Sequence, residues 1–134
     1  MMRYISTVLS REDAWRLMAM LAGHWQLRGF GMWAAEERET GRFVGRIGLH
    51  YPEGWPDREL GWALSRQFWG QGLATEAARA AGDYAFRELG WSHLISLIMP
   101  GNARSIRVAE RLGATADGVA VVRGAEYLVY RLAS

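Results

Sequence analysis

The sequence predicts one α+β domain, a mixed sheet with helices on both faces, organised around a single pair of parallel strands. Three observations carry this prediction. Leu60, Trp62 and Leu64 alternate with Glu59, Gly61, Ala63 and Ser65, the period of two of a strand with one bulky and one small face. Gly70 and Gly72 then interrupt the pattern, and from Leu73 onward Ala74, Ala77, Ala78, Ala81 and Ala85 recur at helical spacing among strong helix formers. Finally, the apolar run His93 to Met99 suits a buried strand and is stopped by Pro100-Gly101. Strand, helix and strand in that order imply a right-handed crossover and two parallel strands side by side.

The remaining elements are read in chain order. Met1 to Leu9 carries no strong signal, although Tyr4 to Val8 could extend or coil. Ser10-Arg11-Glu12-Asp13 has the form of an N-cap with an acid three residues on, opening a helix through Ala14, Trp15, Leu17, Met18 and Leu21 that ends near Arg28-Gly29. Phe30 to Glu37, rich in aromatic residues, and Phe43 to Tyr51 read as two strands joined by a turn at Glu39-Thr40-Gly41, a hairpin. Pro52 to Arg58 is a loop, because Pro52, Gly54 and Pro56 cannot sustain a ladder. The helix from Leu73 closes at Leu89-Gly90, with glycine at the left-handed position after its end. Asn102 is a good N-cap for a helix through Ser105, Ile106, Val108, Ala109 and Leu112, terminated by Gly113. Val119 to Val122 and Tyr127 to Leu132, around Arg123-Gly124, read as a final hairpin.

Composition narrows the chemistry. A chain of 134 residues, half of them hydrophobic, fits one domain with a core that needs no metal or disulfide. The absence of Cys excludes disulfides, thiolate metal sites and an acyl-cysteine intermediate, and points to a cytoplasmic, non-redox enzyme. The net charge of +2 comes from 16 basic residues, all Arg and none Lys, scattered among 14 acids with no basic stripe for nucleic acid. No apolar run approaches the length of a membrane span, and the N-terminus lacks a signal-peptide pattern. His24, His50 and His93 show no metal spacing, and each is read as structural.

The glycine turn has a chemical use. Without Cβ atoms, Gly70 and Gly72 let a ligand approach the backbone where the first amides of the helix are unpaired, an arrangement suited to a phosphate or pyrophosphate. Glycine spacing alone equally allows a sharp connection with no ligand. Two nucleotide motifs are excluded: the position a dinucleotide fold needs as glycine is Thr75, and no Gly-Lys-Ser/Thr follows as in a P-loop.

Trp69-Gly70-Gln71-Gly72-Leu73-Ala74, preceded by Glu59-Leu-Gly-Trp-Ala-Leu and followed by Asn102-Ala-Arg-Ser105 and Glu110-Arg-Leu-Gly113, resembles the GNAT superfamily of N-acyltransferases in its RimJ/RimL-like branch. The resemblance runs from about Ser10 to the C-terminus. It implies a GNAT-like fold, in which a central mixed sheet opens at a splayed parallel strand pair flanked by helices. It also implies a cytoplasmic acetyl-CoA-dependent N-acetyltransferase of one domain over residues 1–134, apparently lacking the usual first strand and helix. Gly72 and Ala74 match the last fixed positions of the family's pyrophosphate motif, and Trp69 stands where Gln or Arg is usual, as in the RimJ/RimL-like version.

The resemblance also assigns roles. Trp69, Gly70, Gln71, Gly72, Leu73, Ala74 and Thr75 are expected at the pyrophosphate, with Glu76 a helix-dipole partner. Asn102 and Ser105 are expected at the acetyl-CoA arm, with Arg104 and Arg107 near its phosphates. The small face of Gly61, Ala63 and Ser65 leaves room for the arm, or else packs beneath a helix. Glu59 is the candidate base, or else a surface carboxylate paired with Arg58, and an amide around Leu64 or Ser65 is the oxyanion donor. Where many members carry a Tyr as general acid this chain has Ala109, so Ser105 or solvent takes that part. The acceptor is a primary amine, on a protein N-terminus or a small molecule, attacking directly with no metal. Self-acetylation at Lys is impossible. The rival expectations are a CoA-binding domain without catalysis and an interaction domain whose Trp residues form a homodimer face.

Overall fold

The computed structural model describes residues 10–134, so Tyr4 to Val8 lies outside the described residues. Helix α1 spans Arg11–Arg28; the Ser10 side chain accepts from the Asp13 amide at 3.1 Å, and Gly29 ends the helix at φ 81°. His24 is the buried residue of α1. Its Nδ1 donates to the Phe30 carbonyl and its Nε2 accepts from the Tyr51 amide, both at 2.8 Å, so one ring ties the helix to both ends of the following hairpin. That explains why strands β1, Met32–Glu36, and β2, Phe43–His50, are shorter than the apolar pattern suggests. Phe30 and Tyr51 are committed to His24 instead.

Strand β3 spans Glu59–Leu64, α2 spans Leu73–Arg87 and β4 spans His93–Ile98. Helix α3, Ala103–Arg111, and the strands β5, Thr115–Val122, and β6, Ala125–Ala133, complete the chain. The sheet order is β1-β2-β3-β4-β6-β5, and only β3 with β4 is parallel. Helix α2 stops two residues before the expected Leu89, an ordinary boundary difference, with Gly90 in the left-handed region at φ 72°. Strand β5 begins four residues earlier than Val119. Its first half is exposed and slips register between Ala116 and Val119 around Gly118, so it carries no apolar face to betray it. Arg123 and Gly124, both at positive φ, make the tight turn to β6.

The two faces of β3 have separate tasks. Leu60 and Leu64 are buried in the core, and Ala78, Ala81, Gly82 and Ala85 bury the small-residue stripe of α2 against that side. A Cβ on Gly82 would lie 3.7 Å from Leu60, an ordinary van der Waals contact, so the helix rests directly on the Leu60 side chain there. Glu59, Gly61 and Ala63 look the other way, opposite His50, Gly48 and Arg46 of β2. Gly48 is there because its strand lies hard against the next: a Cβ would sit 2.5 Å from the Gly31 carbonyl oxygen and 2.7 Å from Met32 Cα. Backbone cannot yield as a side chain does, so Gly48→Ala is expected to cost about 1–3 kcal/mol, read from the urea midpoint.

The Trp rings are used inside the molecule. Trp25, Trp55, Trp62 and Trp69 each donate an indole N–H within the chain, and Trp33 and Trp91 pack edge-on to Tyr84 and Phe30. Trp15, 69% exposed, is the large exception. Among the described residues no helix is long and apolar enough to cross a membrane.

Candidate active site

The centre of the site is the place where β3 and β4 part. Their ladder holds one register pair, Glu59 with Ile95, closed by the Ile95 amide donating to the Arg58 carbonyl at 3.0 Å. One step on, a regular parallel ladder would bond the Leu97 amide to the Leu60 carbonyl. Two side chains take those positions instead. The Glu59 carboxylate accepts from the Leu97 amide at 2.9 Å, and the Ser96 hydroxyl donates to the Leu60 carbonyl at 2.8 Å. Beyond them the strands diverge.

On β3 the backbone groups alternate between the two neighbours. The Ser65 amide donates to the Val44 carbonyl of β2 at 2.8 Å, so those of Trp62 and Leu64 turn toward the gap. Ser65 is therefore not an oxyanion donor, a correction to one of the two positions expected; the amide of Leu64 keeps that option. The Leu64 carbonyl accepts from Trp69 Nε1 at 3.0 Å, which fixes the indole as part of the wall.

A cavity of about 300 Å³ lies over the start of α2, within the range of small-molecule pockets. Leu64, Trp69, Gly70, Gly72, Leu73, Ala74, Thr75, Asn102 and Ser105 all line it, together with Arg104 and Arg107. Gly70 and Gly72 have φ of 77° and 75°, and Gly72 is the N-cap with no side chain to satisfy the first amides of the helix. Thr75 Oγ1 is buried there without a hydrogen-bond partner. The Arg104 guanidinium lies 4.3 Å over the Trp69 ring, so a cation is held at the cavity wall. Asn102 is buried and caps α3 by accepting from the Ser105 amide at 3.3 Å. Gln71 does not join this group, because its side chain turns back to donate to the Gln67 carbonyl at 3.2 Å. Glu76 is exposed in the first turn of α2.

A second cavity, of about 470 Å³, lies on the other face of β3, between the sheet and Leu17, Met20 and Leu21 of α1. Gly61 and Ala63 line it, so the small face leaves space instead of packing beneath a helix. Trp62, Ala63 and Ser105 belong to both cavities, which meet where the strands part. There Trp62 Nε1 donates to Ser105 Oγ at 3.3 Å. Ala109 is fully buried and lines neither cavity, so Ser105 is the hydroxyl that α3 brings to the junction.

Glu59 lines the second cavity and is 9% exposed. The reading of a surface carboxylate paired with Arg58 is overturned: Trp55 Nε1 donates to its Oε1 at 2.9 Å, and the Arg58 guanidinium lies 4.2 Å over the Trp91 ring. Burial pushes the Glu59 carboxyl up to about 7, against the two hydrogen bonds from Trp55 and Leu97 that favour its charged form.

His50 is the residue that sequence reasoning missed. It faces Glu59 across the β2–β3 pair, stacks on His24 at 5.3 Å and meets the Trp55 ring edge-on at 5.1 Å. Its Nδ1 is buried without a partner, and burial, with His24 and Arg46 nearby, brings its pKa down to about 4. The residue is thus a neutral imidazole lining the second cavity. Counting outward from the Pro52 to Arg58 loop would set position 51, not 50, opposite position 59, so the loop alone does not reveal this pairing. His93 lies in neither cavity; its Nε2 meets Asp57 Oδ2 at 2.6 Å and anchors that loop to β4. Among the described residues no group of three His, Asp or Glu could hold a metal ion.

Comparison with known proteins agrees with this architecture. Residues 1–115 match the family model described as an acetyltransferase (GNAT) domain. The protein YkkB of Bacillus subtilis is 44% identical over 87 residues, 63% of this chain and 51% of that protein. The chain spans about half the length of the curated relatives it matches. Among solved structures, an acetyltransferase from Agrobacterium tumefaciens superposes with a TM-score of 0.86 at 34% identity, covering 97% of this chain and 76% of that one. A ribosomal-protein alanine acetyltransferase from Vibrio fischeri, at 16% identity and a TM-score of 0.74 over 96% of this chain and 77% of its own, shares the fold. With the opened parallel pair and the glycine turn in place, and a family model that matches most of its length, the chain belongs to the GNAT acetyltransferase family.

Proposed function

We propose that the protein transfers the acetyl group of acetyl-CoA to a primary amine by direct attack. The observation that carries this reading is the meeting of two cavities at Trp62, Ala63 and Ser105. One of them ends on free helix amides, the other holds a carboxyl that titrates near neutrality. The pyrophosphate is bound by the amides that follow Gly70 and Gly72, with Thr75 Oγ1 as a further partner and Arg104 and Arg107 compensating its charge. Asn102 borders the acetyl-CoA arm as it enters the gap between β3 and β4.

The amine nitrogen attacks the thioester carbonyl carbon, and the oxyanion that forms is stabilised by a β3 amide at the open edge, that of Leu64 being the candidate. Leu64 is five residues from Glu59, roughly 16 Å along the strand, too far for one carboxylate to touch a nitrogen at the junction. Glu59 therefore takes the amine proton through water in the second cavity. The carbon–sulfur bond breaks, its electron pair leaves on sulfur, and Ser105 Oγ–H supplies the proton that makes the free thiol, recovering its own from solvent. The fold is shared with ribosomal-protein acetyltransferases, and the RimJ/RimL-like reading leaves protein N-termini and small amines as acceptor classes.

The direct test is incubation with acetyl-CoA and a panel of primary amines, following thiol release and N-acetyl product together. Equal amounts of both support the proposal; thiol release with no acetylated amine, or none at all with every amine, overturns it. Ser105→Ala is expected to reduce kcat about tenfold with little change in KM for acetyl-CoA. One ordinary hydrogen bond is worth ~1.4 kcal/mol in the barrier, and solvent can replace a proton donor.

A further inference from the structure

Arg46 stands in the middle of β2 with its side chain in the second cavity, directly opposite Ala63, one of the residues at which the two cavities join. It is partly buried, and among the described residues it has no ion-pair or hydrogen-bond partner, while the nine residues before them contain no acid. Neither carboxylate flanking this face serves it: Glu36 of β1, two residues from the Ala34 that pairs with Arg46, is exposed and makes no ion pair or hydrogen bond with it. Glu59 lies four residues from Ala63 along β3, roughly 13 Å between Cα atoms, and accepts from Trp55 and Leu97. His50, the other polar group of β2 on this face, is neutral and offers no countercharge. A guanidinium taken partly out of water with no anion beside it is costly unless a ligand brings one, and its fork matches a carboxylate. Burial also holds the Arg46 pKa below its usual value.

Resting on the acetyl-transfer reading above, we propose that Arg46 binds an anionic group of the acceptor, so that the acceptor is a small primary amine that also carries a carboxylate. The walls around it, Leu17, Met20, Leu21 and Met32, are apolar, which suits an aliphatic body between the two charges. Because Arg46 faces Ala63, the carboxylate is held within one side-chain length of the junction, and the amine is left to reach the thioester.

The test is equilibrium binding by titration calorimetry to the protein saturated with CoA, using leucine against leucinamide, and 4-aminobutanoate and 6-aminohexanoate against their primary amides. In at least one pair the acid is expected to bind tenfold or more tightly than the amide. Arg46→Gln should bring that ratio to within about twofold, Arg46→Lys should retain part of it, and Glu59→Gln should leave it intact. Equal binding of acid and amide in every pair, a preference that survives Arg46→Gln, or no binding of any member overturns the proposal. Thermal unfolding of both Arg46 variants separates lost recognition from lost folding. A preserved acid preference without thiol release on mixing with acetyl-CoA leaves this site standing and overturns acetyl transfer.

Discussion

Glu59→Gln is expected to lower kcat about a hundredfold while acetyl-CoA affinity stays within twofold, because the Gln carbonyl oxygen still accepts from the Leu97 amide that holds the strands apart and the pyrophosphate turn lies in the cavity that Glu59 does not line. General bases contribute on the order of 10²- to 10⁴-fold, and a base that works through water belongs at the low end. The wild-type rate should rise with pH in proportion to the ionised carboxylate and level off near 7, the value to which burial raises this group. That shoulder should vanish in the variant. Unchanged turnover would remove Glu59 from the chemistry.

Stability should register the same group with the opposite sense. Its folded pKa is raised from 4.5 to about 7, so folding favours the protonated form. The stabilisation is fully present below pH 4.5, is lost as pH rises toward 7, and changes no further above that. The loss amounts to roughly 3 kcal/mol across the window. His50 works against it: with its pKa lowered from 6.5 to about 4, its contribution grows over that lower range as pH rises. The comparison is therefore wild type against Glu59→Gln by urea unfolding at pH 5 and pH 8, in which the His50 contribution cancels. A difference that does not change between the two pH values would contradict the buried-carboxyl account.

Gly72→Val carries the second large effect. At φ 75° a side chain is strained, and the added Cβ would meet nothing within 4 Å because it projects into open space at the N-terminus of α2. The strain costs about 1–2 kcal/mol, which lowers the unfolding temperature of the free protein by several degrees. In the wild type, acetyl-CoA at a hundredfold over its dissociation constant should add about 2.7 kcal/mol of stability and raise that temperature comparably. In the variant the rise should be absent, since the branched side chain stands where the phosphates approach the amides. An equal rise in both proteins would move the phosphate site away from this turn.

The strand, turn and helix from Glu59 to Arg87 were legible in the sequence because each rests on local chemistry: alternation on β3, glycine at positive φ, and alanines at helical spacing. Ser10 and Asn102 were legible as caps for the same reason. What stayed hidden depends on contacts between distant segments. The burial of Glu59 comes from Trp55 in the preceding loop and from the Leu97 amide, 38 positions away, and no pattern near Glu59 announces either. Arg46 and His50 read as ordinary residues of a hairpin until the register sets them on the face of Gly61 and Glu59. The first half of β5 has no buried face to mark it in the sequence.

The carboxylate of Glu59 and the hydroxyl of Ser96 have a kinetic consequence. By satisfying the backbone groups at which β3 and β4 separate, they keep the wedge between the strands open in the free protein. An incoming arm then has no ladder to break and no strand to displace, so the site is preorganised and little of the binding energy goes into rearrangement. Association should accordingly follow a single exponential whose rate grows linearly with acetyl-CoA concentration, without the plateau that a slow opening step would impose.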